Sequence, residues 1–218
     1  TLSVSGTNTK MHDVYQFTEE DLFVNQSFED SPYIKSKFLA EKLLLHAMKE
    51  GLDVSIFRLG NITWRKKDGK FQINKNENLF FNLMQYIVNC KLLPNALKSK
   101  LFNLSPVEEC ASFIVKILLE NNKNNVDHIY NDNQLTLEQT VALLNEFNLD
   151  IKFIDNITSM ESLEKCFDKI NLSSYIYELL TLPNEKNYIE VSCPNTNKIA
   201  QEIDFKWTEI NKEYLKKG

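Results

Sequence analysis

The feature that most constrains this chain is a helix signal followed at once by a buried-strand signal. Ser31-Pro32 opens an amphipathic segment. Its apolar residues Phe38, Leu39, Leu43, Leu45, Ala47 and Met48 run on to Gly51, a residue suited to end a helix. Three residues later comes Val54-Ser55-Ile56-Phe57-Arg58-Leu59, a short, mostly apolar run bounded by glycines, as a buried parallel strand has. Helix, short connection and such a strand form the repeating unit of an α/β sheet, which predicts a helix over 32–50 and a strand over 54–59.

Around this unit the pattern is looser. Thr1-Leu2-Ser3-Val4-Ser5-Gly6 reads as the end of a strand entering a loop, so the chain is expected to start inside a fold. Residues 7–30 lack a sustained period and predict a long loop with a short acidic element at Glu19-Glu20-Asp21. Residues 61–78 are polar and irregular. Helices are expected from Leu79 to about Leu93, stopped by Pro94, and from Val107 to Glu120. Another should run from Thr136, an N-cap with Glu138 nearby, to about Phe147. Extended segments are expected at 101–106, Asp127–Tyr130 and Ile151–Asp155, with further helices at Ser159–Phe167, Ser173–Leu180 and Thr196–Glu202. No internal repeat is visible.

Composition excludes several classes. A formal charge of -5 gives no basic footprint for nucleic acid and no patch for anionic lipid. Apolar runs such as Leu43-Leu44-Leu45 and Phe113-Ile114-Val115 fall far short of a membrane span. No charged stretch leading into an apolar one opens the chain, so a cytoplasmic protein is expected. Cys90, Cys110, Cys166 and Cys193 are widely separated, which suits buried thiols in a reducing compartment. His12, His46 and His128 are scattered, and no metal site is expected. The five glycines, Gly6, Gly51, Gly60, Gly69 and Gly218, are too far apart to form the turn that lets backbone approach a pyrophosphate. A dinucleotide cradle is not among these residues.

Tyr33 and Lys37 carry the chemistry. Four residues apart, they share one helical face, one turn from each other. Hydride arriving at a carbonyl carbon leaves charge on the oxygen, which needs a proton donor within hydrogen-bond reach. A phenol is a weak acid, with an ordinary pKa of about 10, and a neighbouring ammonium favours its ionised form. The same ammonium can donate hydrogen bonds to ribose hydroxyls. A bare Tyr-x-x-x-Lys is common on solvated helices, so the flanks matter.

Those flanks, Ser31-Pro32-Tyr33-Ile34-Lys35-Ser36-Lys37-Phe38-Leu39-Ala40-Glu41, resemble the active-site helix of extended short-chain dehydrogenase/reductases. Phe57-Arg58-Leu59-Gly60-Asn61-Ile62 resembles that family's next strand and its nicotinamide-side loop. Thr1 to Gly6, Gly69-Lys70-Phe71-Gln72-Ile73-Asn74, Asn103-Leu104-Ser105-Pro106-Val107-Glu108 and the closing segment from Asn195-Thr196 to Tyr214 are similar to thioester reductase domains of nonribosomal peptide synthetases and carboxylic acid reductases. The resemblance spans essentially the whole chain. It implies NADPH-dependent release of an acyl or peptidyl chain from a carrier-protein phosphopantetheinyl thioester, as aldehyde or alcohol. Carried over, it makes Thr1 the hydroxyl that helps hold the carbonyl oxygen and Tyr33 the proton donor. Lys37 orients the cofactor ribose, and Leu59, Gly60 and Asn61 approach the nicotinamide. Trp64 departs from the pattern where relatives turn on a glycine, and Glu108 stands in place of an aspartate.

The fold expected is α/β: the C-terminal part of a Rossmann-type parallel sheet with a mainly helical C-terminal substrate subdomain. Residues 1–70 and 101–131 are assigned to the nucleotide-binding region, and 71–100 and 132–218 to a substrate- and carrier-facing subdomain. The protein is expected to be monomeric within a multidomain synthetase. Phe80, Phe81, Met84, Tyr86 and Ile87 read as core before acyl tunnel, and Lys66-Lys67 and Lys98-Ser99-Lys100 as solvated surface before carrier-docking sites. Two other functions fit the same residues: a different extended reductase such as a nucleotide-sugar epimerase or dehydratase, or a catalytically silent carrier-docking fragment.

Overall fold

The computed structural model describes residues 1–6, 14–26, 28, 31–120, 125–155 and 189–218. In chain order the strands and helices of the first half are β1 (Tyr15–Phe17), α1 (Pro32–Lys49), β2 (Ile56–Leu59), β3 (Ile62–Thr63), α2 (Leu79–Cys90), β4 (Leu92–Pro94), β5 (Leu101–Phe102) and β6 (Ser105–Pro106). The second half adds α3 (Val107–Leu119), β7 (Val126–Ile129), β8 (Leu135–Thr136), α4 (Leu137–Asn145), β9 (Lys152–Ile154), β10 (Ile189–Val191), α5 (Pro194–Glu202) and α6 (Lys212–Leu215). The helices expected at 159–167 and 173–180, with Cys166 and His12, lie outside the described residues.

The chain divides into two compact units, one of Thr1–Ile62, Ser105–Asn131 and Glu185–Thr208, the other of Thr63–Leu104, Asp132–Asn184 and Glu209–Gly218. Within the first unit β10 pairs in parallel with β1, Tyr15 opposite Ile189 and Phe17 opposite Val191.

In the first unit β2 pairs in parallel with β7, Ile56 opposite Val126 and Leu59 opposite Ile129. Parallel partners need a crossover. Helix α3 lies within it and buries Cys110, Phe113 and Ile117 against Ile129 and Ala200. Burial pushes the Cys110 thiol up to about 12, with the Glu109 charge adding to the effect, so this cysteine is an inert packing residue. Helix α1 begins as expected: the Ser31 side chain accepts a hydrogen bond from the Ile34 N–H, and Pro32 occupies the first turn. Gly51 follows at φ 94, a conformation that glycine adopts without strain. Its apolar set is not a core stripe, however. Leu39 and Leu43 are 53% and 69% exposed, and Glu41 is the one buried residue of the helix. Residues 2–5, expected to end a strand, form a 3₁₀ turn capped by Thr1.

The second unit holds the parallel pair β4–β9 and the antiparallel pair β5–β8. Its core includes Phe80, Tyr86 and Ile87 from the α2 stripe, Leu137, Val141 and Leu144 from α4, and Trp64. Trp64 stacks on Tyr214 with ring centroids 5.2 Å apart. Its indole N–H donates to the Tyr214 carbonyl at 3.2 Å, which explains a large aromatic residue where a loop glycine was expected. Thr136 caps α4 reciprocally with Gln139, rather than with Glu138.

Candidate active site

Tyr33 and Lys37 stand on the first two turns of α1, with the Lys37 ammonium 5.5 Å from the centroid of the Tyr33 ring. Tyr33 is 56% exposed, so its phenol is open to a ligand. Glu41 continues the same stripe one turn further on. Buried, it accepts from the Arg58 guanidinium of β2 at 2.8 Å and 2.5 Å. This pair bolts the helix to the strand. Because α1 enters β2 through a short connection, the chain reverses, and the N-terminal turns of the helix lie toward the C-terminal end of the strand. Leu59, Gly60 and Asn61 occupy that end.

At the strand end the Gly60 N–H donates to the Ile129 carbonyl at 3.1 Å, and the Asn61 carbonyl accepts from the Ser105 N–H at 3.1 Å. Leu59 is partly buried against the α3 core. Ligands of open parallel sheets bind outside such carboxyl ends. Thr1 does not point its hydroxyl freely: the oxygen accepts from the Ser3 N–H at 3.3 Å and lies 3.1 Å from the Ser3 hydroxyl. Glu108, expected only to start a helix, is in the first turn of α3.

Sequence reasoning missed the buried hub beneath these residues. Arg58 is 1% exposed and sends further bonds to the Thr18 carbonyl at 3.1 Å, the Asp21 carbonyl at 2.5 Å and His128 Nε2 at 2.9 Å. Burial, and then the Arg58 charge, pushes His128 down to about 4. The neutral ring donates through Nδ1 to the Ser192 carbonyl at 2.7 Å and accepts at Nε2 from Arg58. Phe17 stacks on His128, ring centroids 5.9 Å apart, and lies beneath the Arg58 guanidinium at 5.0 Å. An arginine inside an otherwise apolar strand run was the available signal, since a buried charge requires partners.

Elsewhere, Lys98 pairs with Glu138 at 3.6 Å, and burial lowers Lys100. Lys66 and Lys67 are exposed. Among the described residues, no helix is long and apolar enough to cross a membrane.

Parallel strands, with a Tyr-x-x-x-Lys helix tied to the strand that ends at Leu59, just before Gly60, define the nicotinamide-nucleotide-binding class of α/β reductase folds. The chain belongs to the NAD-binding family described as "Male sterility protein", whose model matches residues 4–114. A thiolation-reductase di-domain from an archaeal non-ribosomal peptide synthetase is 26% identical, with a TM-score of 0.76 over 100% of this chain and 46% of its own. The reductase domain of the aureusimine biosynthetic cluster is 23% identical, with a TM-score of 0.78 over 99% of this chain and 56% of its own. The dTDP-glucose 4,6-dehydratase of Bacillus anthracis is 19% identical, with a TM-score of 0.55 over 99% of this chain and 57% of its own. The chain thus spans about half the length of these solved structures. A comparison with curated proteins finds no match.

Proposed function

We propose that this chain is the C-terminal part of a reductase domain that uses NADPH to release a carrier-bound acyl or peptidyl thioester as an aldehyde or alcohol. One observation carries the reading: the Tyr33–Lys37 stripe is anchored through Glu41 and Arg58 to the strand whose end bears Gly60. The exposed phenol and the lysine beside it suit the ribose and nicotinamide end of the cofactor. The glycine spacing does not suit its pyrophosphate. NADPH bound there would supply hydride to the thioester carbonyl carbon. Tyr33 gives its proton to the oxygen that gains charge, forming a hemithioacetal; its collapse breaks the C–S bond, passes the hydroxyl proton on and expels the carrier's thiol, leaving the aldehyde, which a second reduction of the same kind would take to the alcohol. Lys37 stabilises the phenolate left behind and holds the ribose hydroxyls. Thr1 can join as a second donor to that oxygen once its hydroxyl turns away from Ser3.

NADPH titration tests the reading. The 218 residues alone are expected to bind at least about tenfold more weakly than a chain extended N-terminally by roughly one Rossmann half of βαβ units. Absence of NADPH binding by the extended chain would remove the nicotinamide assignment, and turnover of a sugar nucleotide without turnover of a thioester would favour an epimerase. For the carrier, Lys66 and Lys67 are the exposed cations to test. Lys66→Glu with Lys67→Glu should raise KM for a carrier-bound thioester several-fold and leave KM for a free pantetheinyl thioester unchanged. An unchanged carrier KM would dismiss this surface.

A further inference from the structure

The first unit contains a second polar site that the nicotinamide chemistry does not use. A cleft of about 410 Å³ is lined by Glu19, Glu20, Asp127, Lys198 and Glu202, among others. Asp127, on β7, is 1% exposed, and neither of its carboxylate oxygens has a hydrogen-bond partner. Glu19, in the loop after β1, is 3% exposed. Its Oε1 accepts from the Thr196 N–H of α5 at 2.8 Å, while its Oε2 has no partner. The loop, α5 and β7 are bolted together here, since the Thr196 hydroxyl in turn accepts from the His128 N–H at 2.9 Å.

Three buried acceptor oxygens without a donor are costly, because a buried anion needs a counter-charge and hydrogen bonds. The surroundings do not supply them: Glu20 and Glu202 add negative charge to the walls, and Lys198 is exposed. We infer that this cleft is a binding site for a protonated primary amine, with Glu19 and Asp127 as its anionic acceptors. An ammonium carries three donors, one for each open oxygen. A metal ion fits less well, since among the described residues no group of three or more His, Cys, Asp or Glu side chains is placed to hold one. The cleft also has room for roughly a dozen water volumes at about 30 Å³ each, space for an alkyl chain behind the ammonium. Burial, with the Glu19 charge behind it, pushes Asp127 up to about 6, so at neutral pH the acid is ionised and unbalanced.

The site is independent of the nicotinamide reading. Asp127 lies toward the start of β7, whereas Leu59, Gly60 and Ile129 mark the strand ends. Isothermal titration of the 218-residue chain near pH 8 tests it. The probes are putrescine, as a small amine, and Nα-acetyl-lysine N-methylamide, as a lysine side chain on a peptide. Tetramethylammonium and Mg²⁺ serve as comparison cations. One or both amines should bind one-to-one, the better one naming the source, and tetramethylammonium, which has no N–H, at least tenfold more weakly. Asp127→Asn and Glu19→Gln should each weaken amine binding at least tenfold while keeping the amide NMR fingerprint of the folded chain. Both are near-isosteric, and the glutamine can still accept from Thr196. No amine binding, equal binding to Asp127→Asn, or saturable Mg²⁺ binding in preference to both amines would overturn the proposal. Binding seen only after Lys198→Ala would overturn it too, by making Lys198 the resident cation.

Discussion

Tyr33→Phe, introduced into an N-terminally extended chain that turns over NADPH, is expected to lower kcat by roughly 10²- to 10⁴-fold, the worth of a positioned proton donor. NADPH affinity and thermal stability should stay as they were. Phenylalanine keeps the ring, and with it the contact to the Lys37 ammonium at 5.5 Å. The residue is 56% exposed, so removing its hydroxyl strands no buried partner. Substitutions at such surface positions usually fall within about 0.5 kcal/mol. Steady-state turnover on a pantetheinyl thioester, paired with a thermal melt, separates the two effects. Near-wild-type kcat would refute the catalytic assignment of Tyr33. Equal loss of kcat and stability would mean that the residue is structural.

A larger effect on stability is expected at Arg58. Arg58→Met should destabilise the first unit by about 3 to 5 kcal/mol, the range for breaking a buried ion pair by removing one partner. The side chains of Arg58 and Glu41 are 1% and 6% exposed, so Glu41 would be left charged and unpaired. The Thr18 and Asp21 carbonyls and His128 Nε2 would lose their donor as well. Arg58→Met with Glu41→Leu should recover most of the loss, because the stranded carboxylate is then gone. Trp207 packs edge-on against Phe113 and Phe205 in the same unit, so fluorotryptophan NMR through a urea titration gives the local transition. A shift at Trp207 below about 1 kcal/mol, the ceiling for an exposed pair, would show that the hub does not hold the unit together.

The parts of this architecture that were legible in the sequence are those fixed by neighbours. Ser31, Pro32 and Gly51 act on α1 within one turn of themselves, and the apolar run before Gly60 marks β2 through its own composition. What escaped notice depends on distant partners. β1 is three residues in a polar stretch and is a strand because β10 lies beside it. The same pairing draws residues 189–191 to the first unit, a placement that no local pattern announces. The Arg58 hub joins Thr18, Asp21, Glu41 and His128, residues 17 to 70 positions away. Tyr33 and Lys37 were readable because helical spacing alone puts them together. Glu19 and Asp127 were not, although an aspartate inside Val126-Asp127-His128-Ile129 was a warning of the same kind as Arg58.

The pairing of β1 with β10 also sets a timetable for biosynthesis. Gln16 and Glu190 sit side by side but are 174 positions apart. At ribosomal rates of about 5–20 residues per second, β10 is polymerised roughly 9 to 35 s after β1. Parallel pairing offers no local hairpin that could shelter the early strand meanwhile. Phe17, wholly covered in the finished fold, thus stays uncovered on an unpaired edge for that interval, the kind of surface that aggregates or recruits a chaperone.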